Sequence, residues 1–154
     1  MKYTCSIEIN GSIEKVVALW EDENNFKEWQ DGFESIELLE GVADAVGAKS
    51  KIIFQGKNRM ELIETIISND LPEEKVALYE HIHMTNTQAT RFESLGKNKT
   101  LYISEVHYTK FSGFMIKMIA KLFPSKFKGQ SQKWMNQFKI FAENEMKNTT
   151  HNKA

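Results

Sequence analysis

Two pairs of residues in this chain have the types and spacing to move protons or hold a ligand. Glu105 and His107 stand two apart in an alternating stretch, so on a strand they share one face about 7 Å apart. An acid and a base at that separation suit proton transfer on one small substrate, or the orientation of a ligand by two hydrogen bonds. They fit equally well at a solvated rim, satisfied by water. Glu64 and Glu80 fall among apolar residues of two other alternating stretches. A carboxylate there must be hydrogen-bonded, protonated or set at the open end of a cavity, because burial of an unpartnered charge is costly. His81 and His83 could bind a metal together with a carboxylate such as Glu93, but the pattern is weak and polar residues on an exposed face read the same way. No metal and no cofactor are expected. The chain has no nucleophile elbow, phosphate-binding glycine loop or paired cysteines.

These residues need a sheet to hold them. Tyr3, Cys5, Ile7 and Ile9 alternate with Thr4, Ser6 and Glu8, which predicts a strand with one buried face. Ser12 precedes Val16, Val17, Leu19 and Trp20 and opens a first helix; a second short one follows over residues 24–29. Six more strands are predicted at about 33–40, 48–55, 59–68, 75–84, 88–95 and 100–110, parsed by turns that include Thr85-Asn86-Thr87 and Gly96-Lys97-Asn98. Their short connections imply an antiparallel, strongly curved sheet with helices on one side. From Phe111 to Met146 the apolar residues, Trp134 and Phe138 among them, recur at helical spacing. Pro124 breaks this long helix near Phe123, and Ser125 is placed to cap its second part.

At 154 residues, without a Pro-, Gly- or Ser-rich linker, the chain reads as a single α+β domain over residues 1–147, followed by a polar, disordered tail at 148–154. A lone cysteine, Cys5, cannot form an internal disulfide, and with no signal peptide the reading is a buried strand residue in a cytoplasmic protein. From Lys110 onward nine lysines stand against two glutamates, net +7, which leaves −8 for residues 1–109 in a chain of net −1. A basic helix against an acidic sheet edge accounts for this; so does peripheral contact with an anionic membrane, since Phe114–Phe123 has the make-up of an interfacial segment. Nucleic acid is not an expected partner, because the lysines are spread around a helix and the balance is not basic.

The order of strand, two short helices, six antiparallel strands and long terminal helix resembles the helix-grip fold of the START-like superfamily, which includes plant pollen allergens and the polyketide cyclase and lipid-transport family. Val16-Val17-Ala18-Leu19-Trp20 followed by Asn25-Phe26-Lys27-Glu28-Trp29 is similar to that family's first two helices. Leu39-Glu40-Gly41, Val46-Gly47-Ala48-Lys49 and Leu71-Pro72-Glu73-Glu74-Lys75-Val76 resemble its inter-strand links. The resemblance covers about residues 2–146 and implies a hydrophobic cavity between sheet and helix. It carries fold and leaves activity open.

Alternation then selects the inward residues. Phe54, Leu62, Glu64, Leu78, Glu80, Phe92, Ile103, Glu105 and His107 fall on the more apolar face, taken as concave, and a two-residue turn at Lys97-Asn98 sets Phe92 opposite Ile103. Trp29, Trp134 and Phe138 join them from the helices as ligand contacts, although core packing explains each as well. The preferred reading is non-catalytic binding or transport of a small hydrophobic molecule, lipid or polyketide-like. The alternatives are a cyclase/dehydratase-like enzyme using Glu105 and His107, and a protein that docks on membranes or partners through its basic helix.

Overall fold

The computed structural model describes residues 1–151. Seven strands form one antiparallel sheet in the order β1-β7-β6-β5-β4-β3-β2. They are β1 (Lys2–Asn10), β2 (Phe33–Glu40), β3 (Lys49–Gln55), β4 (Arg59–Asp70), β5 (Glu74–His81), β6 (Met84–Gly96) and β7 (Lys99–Phe111). Between β1 and β2 lie α1 (Ile13–Glu21), a 3₁₀ turn (Glu23–Asn25) and α2 (Phe26–Trp29); after β7 come α3 (Phe114–Leu122) and α4 (Ser125–His151). The predicted meander is present, with β1 added beside β7.

Local chemistry explains most element ends. Ser12 holds the extended backbone that precedes a helix, and α1 turns Val16 fully inward. Pro124 separates α3 from α4: it cannot donate to a helical hydrogen bond, and the chain unwinds at Phe123 before it. Ser125 is not a cap. It is already the first helical residue, and the opening bonds run from the Lys126 and Phe127 amides to the carbonyls of Phe123 and Pro124. The tail expected to be disordered is helical as far as His151, and residues 152–154 lie outside the described residues.

Two bulges control which side chains reach the concave face. On β6, Ser94 faces Thr100 and Gly96 faces Lys99, so the exposed Leu95 is an extra residue with no partner. The turn at Lys97-Asn98 is where the sequence places it, but the bulge sets Phe92 opposite Tyr102 and Thr90 opposite Ser104. β7 is thereby inverted as far as Tyr108: Tyr102, Ser104 and Val106 point inward, while Ile103, Glu105 and His107 point outward; a further shift, at Thr85/Asn86, leaves Thr109 without a partner. On β4, Ile66 faces Ala77 and Ser68 faces Val76, which leaves the exposed Ile67 unpaired. This inverts β5, so Ala77 and Tyr79 face inward and Leu78 and Glu80 outward. The β5–β6 turn is also displaced. It is made by Ile82 and His83, and Thr85-Asn86-Thr87 lie within β6.

The closed core occupies one end of the concave surface, where α4 and α1 meet β1, β6 and β7. Phe92 and Tyr102 stack with ring centres 4.9 Å apart, Phe138 packs edge-on to Tyr102 at 5.7 Å, and the Trp20 indole N–H donates to the Tyr102 hydroxyl at 3.0 Å. Along the free edge of β1, Gln132 and Lys139 of α4 donate to the carbonyls of Ser6 and Glu8, at 3.3 and 2.6 Å, and the Asn10 amide donates to the Glu143 carboxylate at 3.2 Å. The opposite edge, β2, is irregular at Phe33/Ser35 and again at Leu38/Glu40.

Candidate functional site

Toward β3, β4 and β5 the sheet curves away from the helices and a cavity of about 410 Å³ remains. That volume suits a drug-sized ligand. Its walls are mostly apolar: Ile52 and Phe54 from β3, Met60 and Leu62 from β4, Trp29 from α2, Phe127 and Trp134 from α4. Phe54 and Trp134 stack at 5.3 Å, so the sheet and α4 are joined by an aromatic pair across the cavity wall. Ile119 of α3 adds one side chain to the lining.

The polar centre of this cavity is Glu64 with Tyr79. The bulge at Ile67 brings them directly opposite each other on β4 and β5, and the Tyr79 hydroxyl donates to the Glu64 carboxylate at 2.7 Å. Both line the cavity and each is half-buried, so part of their surface faces the enclosed space. Burial pushes the Glu64 carboxyl above its ordinary range; the Tyr79 hydrogen bond and the Lys75 charge offset part of this. Tyr79 is held well above the usual phenol value, first by burial and then by the negative charge of Glu64. Nearby, Lys75 pairs with Asp44 at 3.1 Å and lies 5.7 Å from the Trp20 ring centre. Gln88 and Thr90 of β6 add hydrogen-bonding groups to the same wall. The arrangement can bind a donor at the ionised Glu64, or a carbonyl when Glu64 is protonated.

The sequence-derived site residues divide cleanly. Trp29, Phe54, Leu62, Glu64 and Trp134 line the cavity. Phe92 and Phe138 are buried in the closed core instead, where they pack against Tyr102 and Trp29. Leu78, Glu80, Ile103, Glu105 and His107 lie on the convex side, because the two bulges invert their strands. There Glu105 accepts a 2.7 Å ion-paired hydrogen bond from Arg91, which holds its carboxyl below the usual range, and His107 is exposed. They cannot act on a molecule in the cavity.

His81 is the converse correction. Expected on the convex face, it lines the cavity, and burial lowers its pKa, with the neighbouring His83 adding to the effect. Its Nδ1 accepts the His83 backbone N–H at 3.2 Å, while the His83 ring contacts the Ser112 carbonyl at 3.2 Å. Among the described residues no three His, Cys, Asp or Glu side chains are grouped to hold a metal, and no helix is long and apolar enough to cross a membrane. Tyr79, Lys75, Gln88 and Trp20 are among the cavity residues that alternation in the sequence did not reveal. The available signal was the polarity of Glu105, Glu80 and His107, which costs little on an outer face and much on an inner one.

No protein-family model and no curated protein matches the chain. Solved structures do. The Zhui aromatase/cyclase from a Streptomyces species superposes with a TM-score of 0.78 at 9% identity, over 95% of each chain. A conserved protein from Geobacillus kaustophilus gives 0.75 at 15% identity, over 94% of this chain and 96% of that one. Ara h 8.0201 gives 0.64 at 14% identity, over 92% and 98%. At these identities the likeness is one of fold. With its curved seven-stranded sheet gripped by a long terminal helix, the chain has the helix-grip fold.

Proposed function

We propose that this protein binds a small, largely apolar molecule, lipid or polyketide-like, in the cavity and orients its polar group against Glu64 and Tyr79. The observation that carries the reading is a roughly drug-sized apolar space with one hydrogen-bonded carboxyl–phenol pair in its wall. Affinity comes from apolar area removed from water, at about 25 cal/mol per Å² before the costs of association. The pair supplies direction, because a ligand that leaves it unmatched strands a desolvated carboxyl.

A second reading, proton transfer in the manner of a cyclase or dehydratase, is favoured by one feature. Glu64 is shifted toward neutrality, the state in which a carboxyl acts as a general acid near neutral pH. The fold likeness to an aromatase/cyclase is compatible with it.

Native mass spectrometry of the purified chain, followed by organic extraction, tests the binding reading. The expected result is a stoichiometric apolar passenger that is lost in Leu62→Trp, whose larger side chain occupies the cavity. An empty chain, with a melting temperature unchanged across lipids and aromatic polyketides, overturns it. Glu64→Gln separates the two readings once a ligand is known: binding weakens modestly under the first, and turnover stops while binding survives under the second.

A further inference from the structure

The outer surface of α3 has no use in the cavity and none in the core. None of its nine residues is buried. A residue advances about 100° around a helix, so Phe114, Met115, Met118 and Leu122 form a single stripe, while Ile116, Ile119 and Ala120 face back toward the body. The stripe is open to solvent, with Phe114 79% and Met115 72% exposed, and Phe123 extends it past the last turn. An exposed apolar strip of this kind marks an interaction surface.

Charge identifies what the strip meets. Lys117 and Lys121 run along one border of it, and Lys110, Lys126 and Lys128 flank the two ends. No Asp or Glu occurs from Lys110 to Lys128. The acidic sheet edge expected to neutralise the basic helix does not supply its partners: on α4, Lys133 pairs with Asp31 of the link between α2 and β2 at 2.9 Å, and Lys139 with Glu143 of its own helix at 2.8 Å. Among the described residues, none of the five lysines around α3 makes an ion pair. A short helix with apolar side chains outward and unneutralised lysines at its border matches the boundary between acyl chains and anionic headgroups.

We propose that α3 docks this protein on an anionic lipid bilayer, with Phe114, Met115, Met118 and Leu122 entering the acyl boundary and the lysines on the headgroups. The docking surface stands independently of what the cavity holds. It does place Ile119, which lines the cavity from the same helix, close to the bilayer. Gly113, at φ 103°, and Pro124 bracket the helix, so α3 joins the body through two non-helical links.

Vesicle flotation of the full chain tests this, using neutral phosphatidylcholine and the same lipid with about 30 mol% phosphatidylglycerol. Expected is partition onto the anionic vesicles alone, falling steeply as salt rises from about 0.1 to about 0.5 M. Lys117→Gln with Lys121→Gln is expected to weaken partition about 25-fold, at about fivefold per lysine. Phe114→Ser with Met118→Ser is expected to weaken it at least about tenfold. Equal partition onto neutral vesicles, none onto anionic ones, or unchanged partition in both double variants overturns the proposal. So does a dimer in solution that Phe114→Ser with Met118→Ser makes monomeric while wild type ignores vesicles, for then the occupant is a second copy of this chain.

Discussion

On α4, Met135, Phe138 and Ala142 are almost wholly removed from water, whereas on α3 the apolar stripe led by Phe114 and Met115 lies open. Both helices are amphipathic, and both follow β7 within one continuous stretch. What separates them is the surface opposite. α4 lies over strands that present Cys5, Ile9, Phe92 and Tyr102, a filled layer against which its apolar residues close. α3 has no such layer opposite it, and only Ile119 of its residues reaches the cavity wall. Periodicity reports that a helix has an apolar face; the facing element decides whether that face is core.

The sharpest way to break this comparison is to truncate one aromatic residue on each helix. Phe138→Ala is expected to cost about 3–5 kcal/mol in urea unfolding, while Phe114→Ala stays within about 0.5 kcal/mol. Equal losses would mean that α3 is held as firmly as α4. Next, Tyr102→Phe removes the acceptor of the Trp20 indole and leaves that buried donor unpaired, at a cost of about 1–3 kcal/mol by the same measurement. A neutral result would place the closed core elsewhere.

Glu64→Gln addresses the cavity end. Because the folded carboxyl titrates above its unfolded value, wild type is stabilised while protonated and loses that contribution as pH rises from about 4.3 through the folded value. The variant is therefore expected to melt higher than wild type at pH 7, with the gap closing below about pH 4 in calorimetry. A variant that melts lower at both ends would place the Glu64 charge in a favourable site. Smallest is Glu105→Gln. Its bond to Arg91 is partly exposed, and a loss of about 0.2–1 kcal/mol is expected, present at neutral pH and fading as acid protonates the wild-type carboxyl.

The strands, the early helices and the break at Pro124 were legible because each has a local cause: alternation, a serine before an apolar run, a missing amide proton. The cavity was legible only as far as the strands that run without interruption. Phe54, Leu62 and Glu64 face inward as their alternation predicts. Beyond each bulge the same reasoning inverts along the following strand, since one extra residue at Ile67 moves the side chains of β5, and one at Leu95 those of β7 as far as Tyr108, to the other face. Neither residue carries a signature that a pattern of period two can register. The carboxylates could have flagged the error: the phase that buries Glu105 and His107 demands partners no neighbouring strand offers, while the other phase puts Arg91 within reach of Glu105 at 2.7 Å.

The treatment of the two sheet margins has a consequence for how this protein meets other copies of itself. An unpaired strand edge is a template for adding a further strand from another molecule. At β1 the groups that would accept such a strand are already taken by Gln132, Lys139 and Glu143 of α4. At β2 two irregularities interrupt the ladder, and the exposed Glu34, Glu37 and Glu40 line it with charge, Glu34 paired with Arg59 at 3.5 Å and Glu37 with Lys51 at 3.7 Å. The two margins are thus shielded against a further strand by unrelated means, one a latch and the other an irregular, charged rim.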